Sequence, residues 1–306
     1  MRIRTVALQV LIAAGLVLGL MAGVAAASAK SKQSQTLDSL GPPMRFAIVR
    51  TIVQGCEPNC PQWISAEGVI TRETPALLKK IVKQVGNSRL PILINSPGGD
   101  LDASLAMSDI IRAGRLDVGV GWTSFAGCMP GNGSCRLPEQ QMGVYRGVPV
   151  TWRAYCFSTC PFVLAGGQKR LAGGAMVGVT QFSMTITSQR VFYEERYRVV
   201  NGKKKLLSRK IVKRDPVKSY TTTKLDKSLL RKLYAHLGKM GVRKGFMAVL
   251  AKAQPLSVYF LTGKEAMAVR LVTDFASART LVDNQLCQAA PTASNCVTMV
   301  SNVIKP

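Results

Sequence analysis

Ser158 carries the first chemical signal in this chain. It stands in the stretch Ala154-Tyr155-Cys156-Phe157-Ser158-Thr159-Cys160, just ahead of the apolar run Phe162, Val163, Leu164 and the breaker Gly166-Gly167. That pattern fits a short helix whose N-terminus presents a hydroxyl. The first backbone N–H groups of a helix lack intrahelical partners and can stabilise developing negative charge. An ordinary N-capping serine before a buried helix gives the same pattern, and on this stretch alone the plainer assignment is favoured.

A second stretch shifts the balance. Residues 90–99 read Leu-Pro-Ile-Leu-Ile-Asn-Ser-Pro-Gly-Gly, a short apolar run ending in a breaker. This predicts a buried strand entering a tight glycine loop. Glycine lets a backbone approach a ligand with no Cβ in the way. Asp100, Asp102 and the apolar Leu101, Leu105, Ile110 and Ile111 then open a helix. The order Ile-Asn-Ser-Pro-Gly-Gly, then a serine at a helix start, then Leu-Ala-Gly-Gly and Gly-Val-Thr-Gln-Phe resembles the Clp-type serine proteases. More loosely it resembles signal peptide peptidase A. Both belong to the ClpP/crotonase superfamily. The resemblance covers residues 44–283 and implies an α/β fold, a ClpP/crotonase-like spiral of ββα units. Here that spiral carries a basic β-hairpin insertion.

Carried onto this chain residue by residue, the resemblance gives a mixed site. Ser158 aligns with the nucleophile. Gly98, Gly99 and Thr159 fall at the oxyanion-hole positions. Thr180 stands where the family has its catalytic histidine, and Val258 where it has its aspartate. A serine without a base is a weak nucleophile at neutral pH. Threonine cannot usefully accept a proton, and valine cannot orient a base. Signal peptide peptidase A pairs its serine with a lysine, and burial can lower a lysine's pKa enough for that role. Lys169 and Arg170 lie at the far end of the Ser158 helix, and the sequence singles out no lysine. His236 lies on an amphipathic helix, where histidines are usually packed or solvated. Glu194 and Glu195 fall in the hairpin.

The elements that must position these residues follow from periodicity. Strands are predicted at 44–53, 63–70, 91–95 and 117–122, with helices at 74–85 and 100–113. Pro75 suits the first helical turn, while Leu77, Leu78, Ile81, Val82 and Val85 share one face. Strand, helix, strand implies a parallel, buried sheet. Residues 150–155 can return to the sheet, and a helix from Ser158 and a strand at 176–182 follow. Asn201-Gly202 between two alternating runs is a tight-turn signal. Residues 226–240 and 244–253 read as amphipathic helices. Thr262 and Glu265 make a capping box for a last helix.

Residues 1–29 read as a signal peptide or an N-terminal membrane anchor. Arg2 and Arg4 precede an apolar stretch from Val6 to Ala27, and Ala27-Ser28-Ala29 offers a cleavage site. The stretch is also near the roughly 20 residues that span a bilayer. Either way the chain is expected to be exported and periplasmic, with the anchor as the alternative. Residues 30–43 read as a linker. The domain at 44–283 carries insertions at 123–150 and 183–224, and 284–306 forms a C-terminal tail with a disulfide.

Eight cysteines fall into close pairs: Cys56/Cys60, Cys128/Cys135, Cys156/Cys160 and Cys287/Cys296. An even count in an exported chain argues for disulfides. Zinc is the competing reading of Cys-x-x-x-Cys, but His236 is the single histidine and no histidine-supported cluster exists. Cys128/Cys135 and Cys287/Cys296 suit local bridges. On one regular helix Cys156 and Cys160 would be poorly placed to bond each other, which makes Cys56 or Cys60 their alternative partners. Nothing in the sequence calls for a metal or a cofactor.

Lys and Arg number 41 against 16 Asp and Glu, a formal charge of +25. Much of the excess sits at Lys203, Lys204, Lys205, Arg209, Lys210, Lys213 and Arg214. This is either a solvated face or a surface for an anionic envelope partner. Nucleic acid is not expected, since Phe192, Tyr193 and Tyr197 alternate like strand residues rather than forming a stacking platform. Two functional classes remain: a non-catalytic protein, binding a peptide or protein segment in the cleft or serving as an envelope protein, and a serine hydrolase or peptidase with an unrecognised lysine or histidine base. The family resemblance also implies a homo-oligomer.

Overall fold

Strand β3 shows why the core is built as it is. The run Ile92-Leu93-Ile94 is apolar without alternation, and the strand is buried on both faces. Ile92 and Ile94 enter the main core, while Leu93 points to the opposite face with Trp63, Val49 and Val282. A strand in the middle of a parallel sheet has helices or loops over both sides, so no polar face is needed.

The computed structural model describes residues 39–296 apart from 128, 132–142, 183, 224, 255–256, 289, 291 and 293. In chain order come β1 (Arg45–Thr51), β2 (Gln62–Glu67), α1 (Thr74–Val85), β3 (Ile92–Asn95), α2 (Leu101–Ala113), β4 (Val118–Val120), β5 (Trp122–Phe125), β6 (Val144–Val150), β7 (Tyr155–Cys156), α3 (Cys160–Ala165), β8 (Arg170–Gly173) and β9 (Met176–Thr180). Then follow β10 (Met184–Ser188), β11 (Val191–Val200), β12 (Lys203–Arg214), β13 (Lys218–Thr222), α4 (Lys227–Lys239), α5 (Gly245–Leu250), β14 (Val258–Phe260), α6 (Gly263–Ala268), β15 (Asp274–Ser277), α7 (Arg279–Asp283) and α8 (Gln285–Gln288).

Eight strands form the main sheet in the order β15-β8-β4-β3-β2-β1-β6-β5. Pairing is parallel from β15 through β2, antiparallel between β2 and β1, and parallel again between β1 and β6. This is the mixed α/β architecture with a large parallel-rich sheet that the sequence predicts. The stretch expected to be an insertion at 123–150 contributes β6 and most of β5 to this sheet. Its apolar alternation is masked in sequence by glycine and proline. A second sheet, β14-β9-β7, stands beside the first.

The strand pair β11 and β12 forms the expected hairpin around Asn201, whose φ of 51° fits the tight turn. It continues from the β10–β13 pair and is exposed along nearly all of its length. No helix among the described residues is long and apolar enough to cross a membrane.

Arg170 ties the core side of the sheet together. It is buried, and its guanidinium donates to the carbonyls of Gly167, Met240 and Arg270 at 3.3, 2.9 and 2.9 Å. Arg112 donates to the carbonyls of Ala165 and Met240 at 3.0 and 2.7 Å. Burial first, then the nearby Arg112 and Arg270, push the Arg170 pKa down to about 10. Two guanidiniums serve these carbonyls because the chain leaves α3, α4 and α6 there, and the freed acceptors need donors. Replacing Arg170 with Met orphans the Gly167 and Arg270 carbonyls. The expected loss is about 3 kcal/mol or more, read as a lowered urea midpoint at unchanged slope. A shift below about 1 kcal/mol would mean that water replaces the guanidinium without cost.

Candidate functional site

The site is built on a turn that most sequences would avoid. β7 ends at Cys156, α3 begins at Cys160, and the three residues between them reverse the chain. Ser158 has φ of 57°, in the left-handed region that non-glycine residues rarely adopt. Such a conformation costs about 1–3 kcal/mol and persists only where the surroundings impose it.

Three sets of contacts impose it here. The Phe157 N–H donates to the Ser96 carbonyl and the Ser158 N–H to the Gly178 carbonyl, both at 3.0 Å. The Phe157 ring stacks on Tyr155 at 5.0 Å and meets the edge of Phe260 at 5.5 Å. A disulfide joins Cys156 to Cys160 across the base of the turn, with Cα atoms 5.2 Å apart. Cys156 and Cys160 therefore pair with each other, and Cys56 pairs with Cys60. The cross-pairing weighed from sequence fails because the two cysteines of each pair do not share a regular helix. Cys287 and Cys296 form the third bridge, while Cys128 and Cys135 lie outside the described residues. Cys56, Glu57 and Cys60 cluster closely enough to suggest a cation site, but both sulfurs are bonded to each other and offer no thiolate.

The glycine loop packs directly on this turn. A Cβ on Gly98 would lie 2.7 Å from the Phe157 carbonyl oxygen and 2.8 Å from both Ser158 Cβ and the Thr159 nitrogen. A Cβ on Gly99 would lie 2.0 Å from the Ile70 carbonyl oxygen. The Gly98 N–H donates to Ser96 Oγ at 3.1 Å, and its carbonyl accepts the Ile70 N–H at 2.8 Å. Gly98 thus shapes the loop, while its own N–H is already engaged. The N–H groups of Gly99 and Thr159 have no protein acceptor among the described residues. Asn95 and Ser96, which sequence reasoning treated only as motif letters, lock the two pieces together. Asn95 Oδ1 accepts the Tyr155 N–H at 2.9 Å, and buried Ser96 donates from Oγ to the Gly68 carbonyl at 2.7 Å.

Thr180 and Val258, which the resemblance sets at the places of base and orienter, lie on neighbouring strands beside Ser158. Thr180 Oγ1 donates to Ser158 Oγ at 2.9 Å. Val258 pairs with Thr180 across β14 and β9. Gly178 makes room for both neighbours, since a Cβ there would lie 2.4 Å from Val258 Cγ1 and 3.1 Å from the Phe157 ring. Ser158 Oγ therefore accepts a hydrogen bond from a group that cannot take its proton. Thr159 Oγ1 and Gln181 Oε1, one residue on from Ser158 and Thr180, are buried with no hydrogen-bond partner among the described residues.

The other titratable candidates are engaged elsewhere. His236 Nε2 lies 3.1 Å from Ser108 Oγ on α2, and Nδ1 is 4.0 Å from Asp109. Burial pushes its pKa down, against the pull of Asp109. Lys169 is exposed and Arg170 is occupied with carbonyls, both past the end of α3. Glu194 and Glu195 pair with Arg196 and Arg209 in the hairpin. Glu67, at the end of β2, stands near the glycine loop. Its Oε1 accepts from Ser65 Oγ and the Thr123 N–H at 2.8 Å each. Burial raises its pKa, against those two hydrogen bonds. It lines a cavity of about 310 Å³ with Asn95, Pro97, Phe125, Met129 and Tyr155.

No protein-family model matches the chain, and no curated protein matches it in sequence. Among solved structures it is similar to a Ser-to-Ala mutant of the 1510-N membrane-bound stomatin-specific protease. That match has 12% identity and a TM-score of 0.38, covering 72% of this chain and 82% of the other. A Lys-to-Ala mutant of that protease in complex with a substrate peptide gives 14% identity and a TM-score of 0.37, covering 72% and 77%. An Asn-to-Asp mutant of ClpP1 from Listeria monocytogenes gives 12% identity and a TM-score of 0.32, covering 71% and 94%. The likeness to ClpP-like peptidases is one of fold alone, and at these scores it says nothing about what Ser158 does.

The disulfide makes a test of how the turn is held. Replacing Cys156 and Cys160 together with Ser keeps the polarity of the turn and removes the link. Amide exchange at Phe157 and Ser158 is expected to speed up at least tenfold, with the rest of the sheet unchanged. Unchanged exchange at these two residues would show that the hydrogen bonds and rings suffice.

Proposed function

We propose that this chain is an exported, ClpP-like binding protein that holds a peptide or protein segment beside Ser158 and does not cleave it. The observation that carries this reading is the hydrogen bond from Thr180 to Ser158 at the place where a base would stand. Catalytic groups of a triad act as a unit, and losing one removes most of the rate. Here both the base and its orienter are absent. The Gly99 and Thr159 N–H groups remain open for a carbonyl or carboxylate oxygen of the bound segment. The cavity beside Pro97 and Tyr155 has room for one of its side chains. Export is supported by the apolar segment after Arg2 and Arg4 and by three disulfides, which persist in oxidising compartments.

A second reading, a serine hydrolase with an unrecognised base, is favoured by one feature: the imposed left-handed turn at Ser158, which a pure binding cleft does not require. Fluorophosphonate labelling of the oxidised chain separates the two. Under the binding reading neither the wild type nor Ser158→Ala is labelled. Labelling that vanishes in Ser158→Ala would overturn it. The pair Thr180→His with Val258→Asp places a base and an orienter on adjacent strands. It is expected to raise labelling of Ser158 by about 100-fold or more, the usual scale of a positioned general base. No gain in that folded double variant would mean that Ser158 is not presented as a nucleophile at all.

A further inference from the structure

Among the described residues nothing covers the strand pair β11–β12, a ribbon whose two faces differ in chemistry. Register places Tyr193 opposite Ile211, Glu195 opposite Arg209, Tyr197 opposite Leu206 and Val199 opposite Lys204. These pairs share one face. On it Arg209 lies 3.9 Å from the centre of the Tyr193 ring and pairs with Glu195 at 2.9 Å, while the Tyr197 hydroxyl donates to Glu195. Apart from Lys204 at its far end, the rest of that face is apolar or aromatic and open: Tyr197 is 48% exposed, Val199 65%, Leu206 48% and Ile211 41%. The opposite face pairs Phe192 with Lys213, Glu194 with Lys210, Arg198 with Lys205 and Val200 with Lys203, and it also holds Arg196. Residues 191–214 contain nine Lys or Arg against two Glu.

A two-stranded ribbon of this length is marginal in water unless something packs on it. We propose that it docks on an anionic lipid surface, with the Tyr193, Tyr197, Leu206 and Ile211 face at the headgroup boundary and the lysines and arginines reaching phosphate around its edges. The ribbon is only two strands wide, about 5 Å between them. Every basic side chain therefore stands at an open edge, and its aliphatic stem can carry the charge past the backbone to the headgroups. The charge also argues against a second copy of the chain as the occupant. Two such ribbons face to face would bring eighteen basic side chains against four acidic ones. Elsewhere Asp102, Asp109, Glu265 and Asp283 are already paired with Lys232, Lys239, Lys252 and Arg279, so they offer no acidic landing site. This surface is independent of what Ser158 does.

The test is co-sedimentation of the full chain with vesicles of phosphatidylglycerol and phosphatidylcholine, and with phosphatidylcholine alone. The N-terminal apolar stretch contributes equally to both, so the readout is the ratio between the two partition coefficients. The wild type is expected to prefer the anionic vesicles by about tenfold or more at physiological salt, and less as salt shortens the Debye length below about 8 Å. Lys203→Glu, Lys205→Glu and Lys210→Glu together are expected to abolish that ratio. Tyr197→Ser with Leu206→Ser is expected to weaken binding to the anionic vesicles at unchanged charge. All these side chains are exposed, and circular dichroism of each variant checks that it folds. Equal partition of wild type and the lysine variant would overturn the proposal. So would a dimer in sedimentation velocity that the Tyr197/Leu206 variant dissociates, because the ribbon's occupant would then be another copy.

Discussion

The left-handed turn at Ser158 is the constraint on which the site depends. No local preference of Phe157-Ser158-Thr159 favours it, so its energy comes from the neighbours. The Ser96 and Gly178 carbonyls hold its two N–H groups, the aromatic rings of Tyr155 and Phe260 clamp Phe157, and the Cys156–Cys160 bridge closes its base. The glycine loop fits against it because Gly98 and Gly99 have no Cβ. These partners come from elements far apart in sequence. A bridge between Ser96 and Cys156 sets the end of β3 against β7, which pairs with β9 in the second sheet, and that juxtaposition makes the turn possible.

The same geometry sets what surrounds Ser158 Oγ. Pairing of β9 with β14 puts Val258 beside Thr180, and the Thr180 hydroxyl reaches Ser158. Gly178 leaves room for Val258 and for the Phe157 ring. The shape of this corner depends on backbone pairing and on a missing Cβ, and neither requires an ionisable side chain. Proton transfer does require one, so architecture and chemistry are carried by different atoms.

Charge divides in a similar way. The surplus of basic groups is used in two settings with opposite physics. In the core, Arg112 and Arg170 sit close together and are held by backbone carbonyls rather than carboxylates, which is why burial pushes the Arg170 pKa down. On the ribbon, lysines and arginines are solvated and screened, and their effect is a field rather than a set of bonds. Mutating the first kind disturbs the fold. Mutating the second disturbs what the fold meets.

The sequence by itself determined the element order, because apolar periodicity and breakers are local properties. The strand at β3, the helices α1, α2 and α4, the Asn201-Gly202 turn and the Thr262–Glu265 capping box were all legible there. Motif order also points to Ser158, the glycine pair, Thr180 and Val258, which the fold brings to one corner. Only the tertiary structure decided the rest. It paired Cys156 with Cys160, recruited β5 and β6 into the main sheet, engaged the Gly98 N–H with Ser96, and turned His236 toward α2. These are contacts between residues distant in sequence, or backbone angles imposed by such contacts. Local composition carries no record of which distant partner will be near, so they appear only when the chain is closed on itself.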